Sequence, residues 1–222
     1  HPVNYKENGV FVGEKIEEDK KVLKAINDKI KNYDSLAAKK IVTIKGGNLE
    51  VKNIKNEENA LGNLICDALI DYTGAHAAFQ NAGGIAFESA DASKFNRKTL
   101  DRIIKYDNSV VVVNITGKDV REILTTSFNR TGYGAFLQVG GLRFTYSKSN
   151  NLISNIKIKD KEIEDDTIYK VAINSWLADG GDGYSILKNI PFKADYGALV
   201  RDVVYDYLEK KVNYSLSVDG RI

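Results

Sequence analysis

Methionine is missing from the 222 residues, and cysteine, tryptophan and histidine occur only once, once and twice. Because the chain starts at His1 and holds no methionine, we expect a processed or excised piece of a longer protein. The single thiol, Cys66, cannot form an internal disulfide, so cysteine usage leaves the redox compartment open. Its place in an apolar run favours a small buried residue over a nucleophile.

The scarcity of histidine and cysteine also excludes most catalytic arrangements. The sequence contains no HExxH motif, no paired-cysteine metal spacing and no P-loop. His76 links a predicted helix to a predicted strand, where a loop or surface residue is a better interpretation than a general base. No Ser-His-Asp or Cys-His set can be assembled. We therefore expect no catalysis within this chain.

Neither sign of charge is in excess, since 32 basic and 30 acidic residues leave a net charge of +2. Nucleic acid or an acidic membrane would need basic residues concentrated on one face, so neither is an expected partner. No apolar run is long enough to span a membrane, and no signal peptide is recognisable.

Periodicity and turn residues predict an irregular alternation of helices and strands, which indicates an α+β or mixed α/β class. The first predicted helix has a narrow apolar stripe between charged flanks, which is typical of a connector on a domain surface. Asn59 is a predicted N-cap. We predict helices over 14–33, 59–72, 117–129 and 196–209, and strands over 40–45, 77–80, 110–115, 136–146, 153–158 and 168–173.

Three loops combine residues that suit ligand contact. Asn81-Ala82-Gly83-Gly84-Ile85 follows an apolar strand, and its glycines allow close approach of backbone N–H groups to a polar ligand. Trp176 lies six residues before Asp182 in a glycine cluster, so an aromatic face and a carboxylate occur together. Tyr106-Asp107-Asn108 precedes a buried strand and adds a second aromatic ring.

The first two loops also have an ordinary structural interpretation. The first can be a plain tight turn, and the second can be a buried tryptophan beside an Asx-type turn. A calcium loop is excluded for the second, because the alternating oxygen ligands and the terminal glutamate are missing.

Four motifs taken in order resemble the C-terminal domain of the 5′-nucleotidase family. The resemblance covers about residues 40–190, and the charged helix before it is similar to the family's interdomain linker. The motifs are Asn59-Ala60-Leu61-Gly62-Asn63-Leu64-Ile65-Cys66-Asp67-Ala68, Asn81-Ala82-Gly83-Gly84-Ile85, Phe136-Leu137-Gln138-Val139-Gly140-Gly141-Leu142 and Leu177-Ala178-Asp179-Gly180-Gly181-Asp182-Gly183-Tyr184.

The resemblance implies an α+β fold, a four-layer α/β/β/α domain over residues 39–222, preceded by a linker with an amphipathic helix over 1–38. It also implies a substrate-specificity domain of a phosphohydrolase that binds the base and ribose of a nucleotide or nucleoside. Hydrolysis would take place on the protein's own N-terminal metallophosphoesterase domain with two divalent metal ions, so this chain alone would be inactive and would hold no metal. An extracellular, periplasmic or cell-surface location is implied in the same way.

The family's substrate-binding positions fall on particular residues of this chain. Tyr106 and Trp176 take the places of two stacking aromatics, which are usually phenylalanine. Asp182 takes the place of the acid that binds ribose. The remaining implied substrate-binding residues are Asn81, Gly83, Gly84 and Lys55.

Two positions depart from the family pattern, because arginine is replaced by Ala86 in the glycine motif and by Lys55 upstream. Arginine offers a planar fork of donors that lysine does not. Two alternatives therefore stay open: a degenerate, non-catalytic binding or surface-interaction module, and a domain of a phosphoesterase for cyclic nucleotides, NAD or nucleotide sugars.

Overall fold

The computed structural model describes residues 19–39, 41–45, 48–86, 89–91, 95–147, 149–150 and 152–222. The chain divides into two compact units between Lys39 and Lys40. The first unit contains helix α1, Lys20–Ala37. The predicted helix over 14–33 is therefore wrong at its C-terminal end, because no glycine or proline stops the helix before Ala37; residues 14–18 lie outside the described residues.

The second unit combines helices and strands and confirms the α+β class; the four-layer order stays a prediction. Its described helices are α2 (Ala60–Thr73), α3 (Arg97–Ile103), α4 (Gly117–Phe128), α5 (Ser175–Ala178), α6 (Ser185–Lys188) and α7 (Val200–Glu209). Its described strands are β1 (Thr43–Lys45), β2 (Asn48–Glu50), β3 (Ala77–Asn81), β4 (Ser89–Asp91), β5 (Ser109–Thr116), β6 (Leu137–Gly140), β7 (Leu142–Ser147), β8 (Leu152–Ile158), β9 (Lys161–Glu162), β10 (Ile168–Asn174), β11 (Lys193–Leu199) and β12 (Asn213–Ser215).

A five-stranded sheet in the order β11-β5-β10-β3-β6 forms the centre of this unit. Strand β10 pairs parallel with β3 and antiparallel with β5, so that Asn174 lies opposite Val110. The valines of β5 from Val110 to Val113 are buried, which confirms the predicted buried strand. Because β3 and β10 are parallel, both end at the same edge of the sheet, and the antiparallel β5 begins there.

Helix α2 packs on this sheet through small residues. Asn59 is its N-cap, as predicted, and accepts a hydrogen bond from the Leu61 N–H at 2.9 Å. A Cβ atom at Gly140 of β6 would lie 2.6 Å from the Cβ of Cys66, so glycine at this position allows the helix to approach the strand. Cys66 is fully buried, and burial raises the pKa of its thiol, which confirms the buried interpretation.

A second sheet, β7-β8-β9, continues from the first through Gly141. Gly141 has a φ of 69°, in the left-handed region that favours glycine. The predicted strand over 136–146 is therefore two strands in two sheets. Phe128, the last residue of α4, lies 5.2 Å from the Phe136 ring and 5.4 Å from the Phe144 ring between centroids and packs on both segments.

The last helix begins later than the sequence predicts, at Val200 rather than at residue 196. Residues 196–199 belong to β11, where Gly197 has a φ of 68° and donates its N–H to Asp195 Oδ1 at 2.8 Å. This left-handed turn interrupts the helical path that the apolar spacing suggested.

The C-terminal residues are tied to α2 by an ion pair. Arg221 donates through Nη1 and Nη2 to the two carboxylate oxygens of Asp67, at 2.7 and 2.9 Å. Glu58 accepts the backbone N–H groups of Asp219 and Arg221, both at 2.8 Å. Such bidentate, partly buried pairs fix geometry as well as adding energy.

Candidate functional site

One edge of the five-stranded sheet collects most of the predicted site residues. Asn81 ends β3 and Asn174 ends β10, while Tyr106 and Asn108 lie just before β5. A cleft of about 390 Å³ opens at this edge. Its described lining residues are Asn81, Gly83, Gly84, Tyr106, Asn108, Trp176 and Asp182, which include six of the seven predicted positions.

Both aromatic rings of the cleft are partly open to solvent. Tyr106 is 46% exposed and Trp176 is 51% exposed, so the alternative of a buried tryptophan is wrong. Trp176 lies on the one-turn helix α5, whose N-cap Asn174 accepts from the Leu177 N–H at 3.0 Å. A Cβ atom at Gly181 would overlap the indole of Trp176, so glycine allows the Asp182 loop to pack against the ring.

The loop that carries Tyr106 contacts the start of α7 through an ion pair and a backbone hydrogen bond. Asp107 forms an ion pair with Arg201 at 2.6 Å, and the carbonyl of Asn108 accepts the Val200 N–H at 2.9 Å. The ammonium of Lys105 lies 4.9 Å from the centroid of the Tyr106 ring. The exposed tyrosine therefore stands on an anchored backbone.

Asn81 forms part of the wall of the cleft and of a buried amide cluster. Its Nδ2 donates to Asp182 Oδ2 at 2.6 Å. Its Oδ1 accepts from Asn174 Nδ2 at 2.9 Å and from Gln80 Nε2 at 3.1 Å. Asn174 Nδ2 also donates to Gln80 Oε1 at 3.2 Å. Asn81 is only 4% exposed, so its amide fixes the Asp182 carboxylate in the absence of a ligand.

The two predicted glycines are explained by close packing. A Cβ atom at Gly84 would overlap Gln80 Nε2 and lie 3.0 Å from Asn81 Oδ1, so a side chain there would displace the amide cluster. Gly83 lies against Gly134, whose carbonyl accepts its N–H at 2.8 Å.

Asp182 has an uncommon backbone conformation for a residue with a side chain. Its φ of 54° and ψ of 19° are left-handed, and a guanidinium nitrogen of Arg130 donates to its carbonyl oxygen. Tyr184 is fully buried below this loop and donates its hydroxyl to the Ala135 carbonyl at 2.7 Å. Burial raises the pKa of that tyrosine. Residues held in such conformations are concentrated at functional sites.

Lys55 and Ala86 lie apart from the described lining of the cleft. Lys55 is exposed and lines a second pocket of about 330 Å³ that also contacts Ile85. Its carbonyl accepts the Gly132 N–H at 2.8 Å. Ala86 donates its N–H to the Ile103 carbonyl at 2.9 Å. The structure therefore does not bring Lys55 together with the other predicted residues.

Sequence reasoning missed three residues that shape the site, Gln80, Asn174 and Arg130, and it named Asn108 only as part of the Tyr106 loop. Gln80 and Asn174 carry the one available signal, since each is a polar residue at the end of an apolar strand. Arg130 follows a predicted helix and gave no signal.

The acidic, histidine and cysteine side chains of the described residues do not gather into a metal site. They form no cluster of three or more His, Cys, Asp or Glu that could hold a metal ion. His76 accepts the Lys170 N–H through Nδ1 at 3.2 Å, and burial followed by the charges of Lys159 and Lys170 lowers its pKa. No helix in the described ranges has the length and apolar character needed to cross a membrane.

Comparisons with known proteins show which family the chain resembles. A family model described as "5′-nucleotidase, C-terminal domain" matches residues 39–189. The trifunctional nucleotide phosphoesterase protein YfkN of Bacillus subtilis is 29% identical over 77% of this chain and 13% of its own length. The 5′-nucleotidase of Bos taurus is 28% identical over 97% of this chain and 42% of its own length.

A solved 5′-nucleotidase structure contains a domain of the same fold. The 5′-nucleotidase precursor from Thermus thermophilus superimposes with a TM-score of 0.79 at 26% identity, covering 92% of this chain and 43% of that one. The chain thus spans less than half the length of the relatives and the structure that it matches.

Proposed function

Because the chain belongs to the 5′-nucleotidase C-terminal domain family, we propose that it is the substrate-specificity domain of a 5′-nucleotidase-type phosphohydrolase. It binds the base and ribose of a nucleotide in the cleft between Tyr106 and Trp176. The observation that carries the proposal is this cleft, where two exposed rings and one carboxylate meet at one sheet edge. Its volume lies in the range of small-molecule sites, roughly 300–1,000 Å³.

The lining chemistry favours the nucleoside half of the ligand over its phosphate. The described residues that line the cleft include no lysine, arginine or histidine, and their one charged group is the acid Asp182. A phosphate would be repelled by this carboxylate, whereas ribose hydroxyls can donate to it. A planar base suits the two rings, since aromatic faces stack on one another.

The amides at the cleft supply directional contacts to the base. Asn108 lines the cleft and lies two residues from Tyr106, so its side chain can meet the edge of a base that stacks on that ring. Asn81 adds support mainly through Asp182, because its Oδ1 already accepts two hydrogen bonds.

In this proposal, the rest of the parent protein binds the phosphate and carries out the hydrolysis. A preceding metallophosphoesterase domain would hold two divalent metal ions, which would supply polarisation of the phosphoryl group and activation of a water. Residues 1–38 serve as the interdomain linker, and residues 39–222 form the four-layer substrate-binding domain. The parent enzyme acts outside the cytoplasm, in the periplasm, at the cell surface or in the extracellular space.

A fluorescence titration of this 222-residue chain tests the ligand. Trp176 is its only tryptophan and lines the cleft, so quenching by adenosine reports binding at this place. We expect saturable quenching whose affinity for adenosine falls about tenfold in Asp182→Ala. The matched control is Tyr133→Ala, which removes a 71% exposed ring that is not among the described residues lining the cleft. Adenosine binding that is equal in all three proteins, measured by calorimetry, would overturn the site.

A second candidate is a non-catalytic binding module, and Ala86 is the observation that favours it. A methyl group at this position offers no cation to a phosphate, although the family motif has arginine there. The two candidates differ in the full-length protein: the first requires phosphate release from AMP with added divalent metal, and the second requires nucleoside binding without phosphate release. Phosphate release by the isolated 222-residue chain would contradict both.

A further inference from the structure

Arg130 lies beside the loop that carries Asp182, although 52 residues separate them in sequence. It follows α4 in a turn, is partly buried, and donates a guanidinium N–H to the backbone carbonyl of Asp182. A Cβ atom at Gly183 would lie 2.5 Å from Nη2 and 2.6 Å from Nη1 of Arg130. Glycine at this position therefore allows the guanidinium to lie flat against the loop.

The loop needs such a support because its conformation is unfavourable for Asp182. Gly180 and Gly183 take left-handed φ values of 85° and 78°, which glycine adopts freely. Asp182 takes a φ of 54° between them, in a region that residues with a side chain seldom adopt, although aspartate does so more often than most. A positive φ at such a position persists where the surrounding contacts enforce it.

The side chain of Asp182 is held by a separate contact. Its Oδ2 accepts from Asn81 Nδ2 at 2.6 Å, and Asn81 is itself fixed by the buried amides of Asn174 and Gln80. Its Oδ1 makes no hydrogen bond to any residue that the structure describes, and Asp182 lines the cleft. One carboxylate oxygen is thus committed to the protein and the other is available to a ligand.

We propose that Arg130 is a positioning residue that, by holding the Asp182 backbone, sets the preference of the cleft for ribose over a sugar that lacks the vicinal hydroxyls. This inference rests on the proposed function, because it requires a nucleoside in the cleft. A carboxylate in this orientation accepts from the vicinal hydroxyls of ribose through charge-assisted hydrogen bonds, which are short and directional. If the loop loses its support, the carboxylate moves and the hydroxyl preference falls, while stacking on Trp176 continues.

The test compares three probes on the 222-residue chain by Trp176 fluorescence: adenosine, 2′-deoxyadenosine and 2′,3′-dideoxyadenosine. For the unmodified chain we expect adenosine to bind at least tenfold more tightly than the dideoxynucleoside. In Arg130→Met we expect this ratio to fall below about threefold, with the dideoxynucleoside affinity unchanged. Arg130→Lys keeps a cation that can donate to the carbonyl and should give an intermediate ratio.

Arg121→Met is the matched control. Arg121 lies on α4 and also donates to a backbone carbonyl, that of Ile163, at 3.1 Å, yet it is not among the described residues that line the cleft. We expect the control to keep the full ratio. Arg130→Met should also have no further effect on the ratio in an Asp182→Asn background, because the two residues act through one contact.

The outcomes separate this inference from the function on which it rests. If the unmodified chain binds none of the three probes, the proposed function fails. If it binds adenosine with the expected preference and Arg130→Met weakens all three probes equally, Arg130 is only structural and the inference is overturned. If Arg130→Met does not fold, Arg130→Lys decides, and a full ratio in that variant overturns the inference too.

Discussion

Replacing Asn174 by alanine should destabilise the domain far more than its single position at a strand end suggests. Its side chain makes three buried hydrogen bonds: Nδ2 donates to Asn81 at 2.9 Å and to Gln80 at 3.2 Å, and Oδ1 accepts from Leu177 at 3.0 Å. At about 1 kcal/mol net for each bond, we expect a loss of about 3 kcal/mol. This figure is a lower bound, because the buried partner groups left without a hydrogen bond add a further penalty.

Urea unfolding followed by far-ultraviolet circular dichroism measures this loss without relying on Trp176, which lies close to the change. In a protein of this size, 3 kcal/mol corresponds to a fall of roughly 6–12 °C in Tm. Asn213→Ala is the matched control, since Asn213 is exposed on the edge of a two-stranded sheet. A loss below about 0.5 kcal/mol for Asn174→Ala, the level of surface substitutions, would refute the reasoning.

Three further outcomes follow from the same structure. Gly181→Ala should shift the emission maximum of Trp176 and lower Tm, because the new Cβ overlaps the indole; an unchanged emission spectrum would contradict this packing. Cys66, buried with its thiol pKa raised, should react with a disulfide reagent only as fast as the chain unfolds, and rapid labelling in buffer would contradict its burial. Burial and neighbouring lysines lower the pKa of His76. As pH falls below about 6.5, the unfolded state therefore takes up a proton before the folded state does, and the free energy of unfolding decreases. His76→Gln should reduce the slope of the unfolding free energy against pH below about pH 6.5, and an identical slope in both proteins would contradict the assignment.

The parts of the fold that could be predicted from the sequence are local. The N-cap Asn59 and the buried strand at Val110–Val113 follow from single residues and short periodicities, which act over one or two turns. The start of α7 could not be predicted, because the turn at Gly197 belongs to a strand whose partner β5 lies about 85 residues earlier in the chain.

The candidate site also combines local features, which could be predicted from the sequence, with long-range contacts, which could not. Trp176 and Asp182 could be identified because aromatic, acidic and glycine residues occur together in one short segment. The hydrogen bonds that orient them join Asn81 to Asn174 and Arg130 to Asp182, 93 and 52 residues apart. Periodicity and propensity contain no information on such pairs.

The parallel pairing of β3 with β10 has a consequence for the order of folding. The two strands meet across more than ninety residues, and the entropy of closing such a loop is lost before the pairing returns any energy. A partly folded chain without this pair has no cleft, so the nucleoside that we propose as the ligand would find its site only in the completed sheet. We expect bound ligand to slow unfolding more than it changes the rate of folding, because it binds only the completed sheet.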